Sequence, residues 1–206
     1  MLQTLQTGPW LGLFDLLGIA VFAASGALAA AGKRLTLVTF AFFALVTGVG
    51  GGTVRDLLIG APVFWVQDYR FPAVCMVMAL LVWITPQRIW SEKALDWFDA
   101  LGLAAYAVFG AAKSLAFGVP PLPAVMMGVI TACVGGVIRD VLAGEPSILL
   151  RPELYVTAAA LSAALYVGLV LFGIDGPLAA GIAAVAGFVL RGIAIHRGLA
   201  LPGYRR

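Results

Sequence analysis

Seven apolar stretches of membrane-spanning length follow one another along the chain, near residues 11–31, 35–60, 71–86, 96–114, 121–144, 154–173 and 177–195. A hydrocarbon core about 30 Å thick is crossed by a helix of about 20 apolar residues. Inside that core each backbone amide and carbonyl must find a partner within the protein, so successive spans of this kind fold as helices. The expected class is an all-α integral membrane protein with seven transmembrane helices. With 62% hydrophobic and 11% charged residues and a mean hydropathy of +1.03, the chain has more apolar surface than a soluble domain of this size could bury.

The breaks between spans have local causes: Lys33 and Arg34, Pro62 to Arg70, TPQRIWSEK, Gly118 with its following prolines, Glu145 to Glu153, and GIDGP at 173–177. None leaves room for a soluble domain, so residues 1–206 read as a single membrane domain. The third span is short and draws on Trp83 and Trp90 at one interface. No basic residue precedes Asp15, as a secretory signal would require, and 11–31 is expected to be a retained span. Cys75 and Cys133 lie inside apolar runs and read as small core residues rather than a disulfide framework.

Basic residues set the orientation. With the amino terminus outside, Lys33, Arg34, Arg88, Lys93, Arg151, Arg191, Arg197, Arg205 and Arg206 fall inside, against Arg70 and Lys113 outside. The carboxyl terminus is then cytoplasmic. Its basic tail meets anionic lipid headgroups, which accounts for the formal charge of +3 without nucleic acid.

A constant shift of 84 residues lays CVGGVIRDVLAGEP over VGGGTVRDLLIGAP. It aligns Gly51 with Gly135, Gly52 with Gly136, Arg55 with Arg139, Asp56 with Asp140, Asp15 with Asp99 and Thr47 with Thr131. The chain therefore divides into a first unit at 11–94, a second at 95–176, and a seventh helix with its tail at 177–206. Three spans per unit make the second copy enter the membrane the other way up, an inverted repeat.

Gly50, Gly51, Gly52, Gly135 and Gly136 sit near the centres of spans two and five. One reading is that they interrupt those helices and expose carbonyls suited to a desolvated cation; the other is that they let helices approach closely. The first reading is the one expected. Arg55, Asp56, Arg139 and Asp140 are costly in a bilayer and should face the bundle interior with partners. Adjacent helix residues point apart, so matched depth favours Asp15 with Arg55 and Asp99 with Arg139. These pairs either stand at the two mouths of a pathway or clamp helices together. Ser25, Thr47 and Thr131 either line that pathway or bond back to their own helices. Lys113 is expected to snorkel at the outer side. No metal cluster, nucleophile with a base, or phosphate-loop lysine is present in the sequence, so no enzyme and no cofactor is expected.

The paired GG-x-x-RD segments, the Asp-x-x-Gly opening spans one and four, and the 3+3+1 plan resemble the trimeric intracellular cation channel family, in its prokaryotic branch. The resemblance covers nearly the whole chain. It implies a homotrimer in the bacterial or archaeal inner membrane, each subunit with its own potassium-permeable pore lined by the second and fifth spans. The chain is shorter than the animal members and lacks their basic extension. Similar bacterial sequences are also described as glycine transporters. The rival expectation is a carrier for a small zwitterion held at half-helix amino ends near Thr53 and Val137. A third is a scaffold without flux.

Overall fold

The computed structural model describes residues 9–86, 89–90, 94–150 and 152–202, with side chains from residue 15 onward. Arg88, Lys93, Arg151, Arg205 and Arg206, counted above on the inner side, lie outside the described residues. The helices are α1 (Pro9–Gly32), α2 (Leu37–Leu58), α3 (Phe64–Gln67), α4 (Arg70–Ile84), α5 (Ala94–Ala116), α6 (Pro121–Ala143), α7 (Val156–Leu171) and α8 (Gly176–Arg197), with a 3-10 turn at Ile148–Leu150. Five of them, α1, α2, α5, α6 and α8, are long and apolar enough to cross a membrane. The apolar α4 and α7 have 15 and 16 residues. Each is preceded by a short helical turn, α3 or the 3-10 turn.

Local chemistry fixes these boundaries. The Thr36 hydroxyl accepts from the Thr39 amide at the start of α2, satisfying one of the amides a helix leaves free. Gly60 and Gly144 leave α2 and α6 with φ of 68° and 65°, a left-handed turn that glycine makes without a Cβ penalty. They are equivalent under the 84-residue shift, and so are the bonds there: Ala61 N to Asp56 O at 2.8 Å, and Glu145 N to Asp140 O at 3.0 Å.

The expected breaks in spans two and five do not occur. Both α2 and α6 run as continuous helices through Gly50, Gly51, Gly52, Gly135 and Gly136, and none of these glycines has positive φ. Their bareness serves a crossing instead. A Cβ on Gly51 would collide with the Thr131 carbonyl oxygen, and one on Gly135 with that of Thr47. Glycine costs a helix about 1 kcal/mol relative to alanine, but here it brings two backbones together, the stronger contribution where helices associate by packing rather than by the hydrophobic effect. With the helices unbroken, Thr53 and Val137 are not half-helix amino ends.

The helices α1, α2, α6 and α5 form a central ring, with α1 against α2, α2 against α6, α6 against α5 and α5 against α1. Against this ring α4 covers α1 and α2, α7 covers α5 and α6, and α8 rests on α5 and α7. Cross-contacts are reciprocal. Gly51 meets Thr131 as Gly135 meets Thr47, and Gly18 meets Tyr106 as Gly102 meets Phe22. On each pair, moving forward along one helix means moving backward along the other, so corresponding helices cross in opposite directions. Buried alanines, among them Ala23, Ala27, Ala107, Ala111, Ala159 and Ala163, keep these helices close.

Candidate functional site

Two buried charge centres sit on either side of the α2–α6 crossing. In the first, Arg55 and Asp56 are 1% and 0% exposed. Arg55 donates through Nε and Nη2 to Asp56 Oδ1 at 2.9 and 2.8 Å, and its guanidinium carbon lies 5.3 Å from the centre of the Phe109 ring. Lys113 reaches from α5 to the same oxygen at 2.8 Å. The other Asp56 oxygen accepts from the Phe64 amide at 3.1 Å, which docks α3. Asp15 accepts from the Tyr106 hydroxyl at 2.6 Å.

These contacts correct two expectations. The Asp15–Arg55 ion pair is not formed; Arg55 is long enough to curl onto its neighbour in the last turn of α2, where Asp56 turns back under the loop. Lys113 does not snorkel to the surface, because Asp56 on the neighbouring helix end holds its ammonium inward.

In the second centre, Arg139 donates to Asp99 Oδ1 at 2.6 Å, the pair expected from depth and repeat. It also donates from Nε to Asp140 Oδ1 at 2.9 Å and from Nη1 to the Ser25 hydroxyl. Asp140 Oδ2 accepts from the Ile148 amide at 2.9 Å, the equivalent of the Asp56–Phe64 bond. Each aspartate thus ties a helix end, an arginine and the following short helical turn into one unit. A single negative charge shared by several donors is what makes a buried carboxylate tolerable.

The small polar residues divide. Thr131 bonds back to the Met127 carbonyl at 2.6 Å, while Ser25 faces Arg139. Thr47 Oγ1 is buried without a hydrogen-bond partner among the described residues. Around the second centre a vestibule of about 280 Å³ leads in from the ends of α1 and α6, reaching Arg139 and Asp140 past Lys33, Asp96 and Glu145. Lys33 and Glu145 form an ion pair at its mouth. The first centre has Lys113 across it, with Lys113 Nζ 5.9 Å from the centre of the Phe64 ring and 6.0 Å from that of Phe117.

Sequence reasoning missed Tyr106, Phe64, Tyr155 and Arg191 as parts of these centres. The shift of 84 was a usable signal for Phe64, which matches Ile148. Nothing in the sequence marked Arg191, counted above with the headgroup-facing basic residues, as a buried group. It is 1% exposed and pairs with Glu153 at 2.7 Å.

Comparison with known proteins places this arrangement. The family model described as "Glycine transporter" matches twice, over residues 12–87 and 96–171, displaced by the same 84 residues. The UPF0126 membrane protein of Vibrio cholerae is 37% identical over 198 residues, 93% of this chain and 82% of its own length. The UPF0126 inner membrane protein YadS of Escherichia coli K12 is 43% identical over 148 residues, 70% of this chain and 71% of its own. The solved structure of the trimeric intracellular cation channel orthologue from Rhodobacter sphaeroides has 41% identity and a TM-score of 0.84, covering 91% of this chain and 97% of that one. These relatives are described as membrane proteins and, for the solved structure, as a cation channel orthologue. The chain is a multi-pass membrane protein and belongs to the prokaryotic branch of the trimeric intracellular cation channel family.

Proposed function

We propose that this protein is a passive cation channel, permeable to potassium, with one pathway in each subunit of a homotrimer. The observation that carries the reading is the pair of quasi-equivalent arginine–aspartate centres buried at opposite ends of the Gly51–Gly135 crossing, in a fold shared with cation channels. The five long helices and the shorter apolar α4 and α7 cross the membrane as two inverted three-helix units plus α8, with the amino terminus outside and the carboxyl terminus cytoplasmic. The pathway runs between α1, α2, α5 and α6. Its constriction is the small-residue surface at Gly50, Gly51, Gly52, Gly135 and Gly136, with Thr47, Thr131 and Ser25 beside it.

On this reading the conformation is the closed one. Lys113 bound to Asp56 seals the outer end, and Arg139 held by Asp99 and Asp140 ends the vestibule at the inner one. The vestibule is lined by the carboxylates of Asp96, Asp140 and Glu145 and by the basic groups of Lys33 and Arg139. The arginines act on opening rather than as ion ligands, since a cation gains nothing beside a guanidinium.

The vestibule also supports a second reading. It ends at a guanidinium and a carboxylate, a complement to a zwitterion such as glycine.

Purified protein in planar bilayers under a potassium gradient separates the two. Discrete current steps reversing near the potassium potential, with Lys113→Met increasing the time spent open, are expected for the channel. Silence there, with saturable uptake of labelled glycine into liposomes, would sink the channel and leave the carrier.

A further inference from the structure

The helix α8 lies beyond both repeated segments, yet it reaches the second charge centre through Arg191. The Arg191 Nη2 donates to Glu153 Oε2 at 2.7 Å, and its guanidinium carbon lies 5.4 Å from the centre of the Tyr155 ring. Its Nε and Nη1 are buried without hydrogen-bond partners among the described residues. Beyond α8 the chain folds back. Ala200 bridges to Glu153, and the Leu201 amide donates to the Pro152 carbonyl at 2.6 Å. The segment 152–155 is therefore held by α8 on one side and by Ala200 and Leu201 on the other.

Tyr155, 1% exposed, ends that segment. Its hydroxyl enters the space left by Gly136, where the second centre also converges: a Cβ at 136 would lie 2.9 Å from the Tyr155 hydroxyl, 3.4 Å from Asp99 Oδ1 and 3.7 Å from Arg139 Nη2. Neither the Tyr155 hydroxyl nor Asp99 Oδ2 has a hydrogen-bond partner among the described residues. The first half differs. There Phe71 occupies the position equivalent to Tyr155, and Asp15 already accepts from Tyr106.

A buried donor and a buried acceptor left unbonded side by side cost stability, and so does a buried guanidinium with two unused faces. A leucine at 191 would avoid the second cost. We propose that Arg191 is a positioning residue for the inner charge centre, holding Tyr155 back from Asp99. When Tyr155 is released, its hydroxyl donates to Asp99 and competes with Arg139 for that carboxylate, and the inner mouth opens. The helix outside the repeat thus biases a two-state contact, which gives the two mouths different control. This inference rests on the pathway proposed above.

The test uses the full-length protein with Cys75→Ala, leaving Cys133 as its one thiol. Cys133 is 4% exposed and lies on α6 before Arg139. Two readouts are taken: open probability in bilayers, and the rate at which a water-soluble thiol reagent modifies Cys133 in liposomes. Arg191→Leu combined with Glu153→Leu, which removes both members of the ion pair, is expected to raise both by about fivefold or more, the low end of coupling between linked sites. Tyr155→Phe, which removes the competing hydroxyl, is expected to lower both by a similar factor, and Arg191→Lys to fall between the wild type and the double variant. Unitary conductance stays unchanged throughout.

Both variants moving in one direction, or neither moving in protein that elutes and melts like the wild type, would overturn the proposal. If the double variant does not fold, Tyr155→Phe decides alone. If the wild type carries no current, the channel reading fails and the labelling rates still decide the role of Arg191.

Discussion

At Gly51 a single methyl group decides how closely two helices cross. The space for it is filled by the Thr131 carbonyl, which cannot move without its helix. Gly51→Val is expected to cost about 1–3 kcal/mol or more, as overpacking does, seen as a lower thermal midpoint in detergent. Gly32→Ala, where an added methyl meets nothing within 4 Å, should stay within about 0.5 kcal/mol. The two buried aspartates are not interchangeable either. Asp56→Asn strands Arg55 and Lys113 together and should cost about 3–5 kcal/mol. Asp140→Asn leaves Arg139 still paired with Asp99 and should cost less than half as much as Asp56→Asn. Adding Lys113→Met to Asp56→Asn should recover part of the loss, a coupling a double-mutant cycle reads directly. The Asp99–Arg139 pair was legible in the sequence because repeat offset and depth agreed. Lys113 was not, since a lysine at a span end has water within reach unless another helix end brings it a carboxylate.

Helix boundaries followed from the sequence to within a few residues, because prolines, left-handed glycines and charged breaks act locally. Helix continuity did not. A glycine run is compatible with a break or with a close crossing, and the choice depends on which helix arrives opposite it. The equivalent docking of α3 on Asp56 and of the 3-10 turn on Asp140 shows a repeated element held by a repeated carboxylate. Between elements, the exposed Lys33–Glu145 pair joins the ends of α1 and α6 at the vestibule mouth. Such a pair is worth only about 0.2–1 kcal/mol, so its removal should leave stability nearly unchanged. Its field should matter more. Lys33→Glu is expected to raise potassium current at low salt, and the gain should vanish near 1 M, where the screening length falls to about 3 Å.

For the whole molecule, the proposed orientation predicts that a reporter active only in the cytoplasm works when fused to the carboxyl terminus. Activity only on the opposite side would overturn the orientation, and with it the placement of the two mouths. The sequence by itself determined the membrane class, the order and approximate bounds of the apolar helices, and the duplicated segments. Apolar length, charge at the breaks and a constant offset are one-dimensional properties that the bilayer and the chain order convert into structure without reference to partners. The tertiary structure decided what those residues do to one another. It made the glycines a crossing rather than a break, turned Lys113 and Arg191 inward, and set Tyr155 beside Asp99. The physical reason is that buried charges and bare backbone are satisfied by groups from other helices, whose approach depends on packing in three dimensions and leaves no local mark in the sequence.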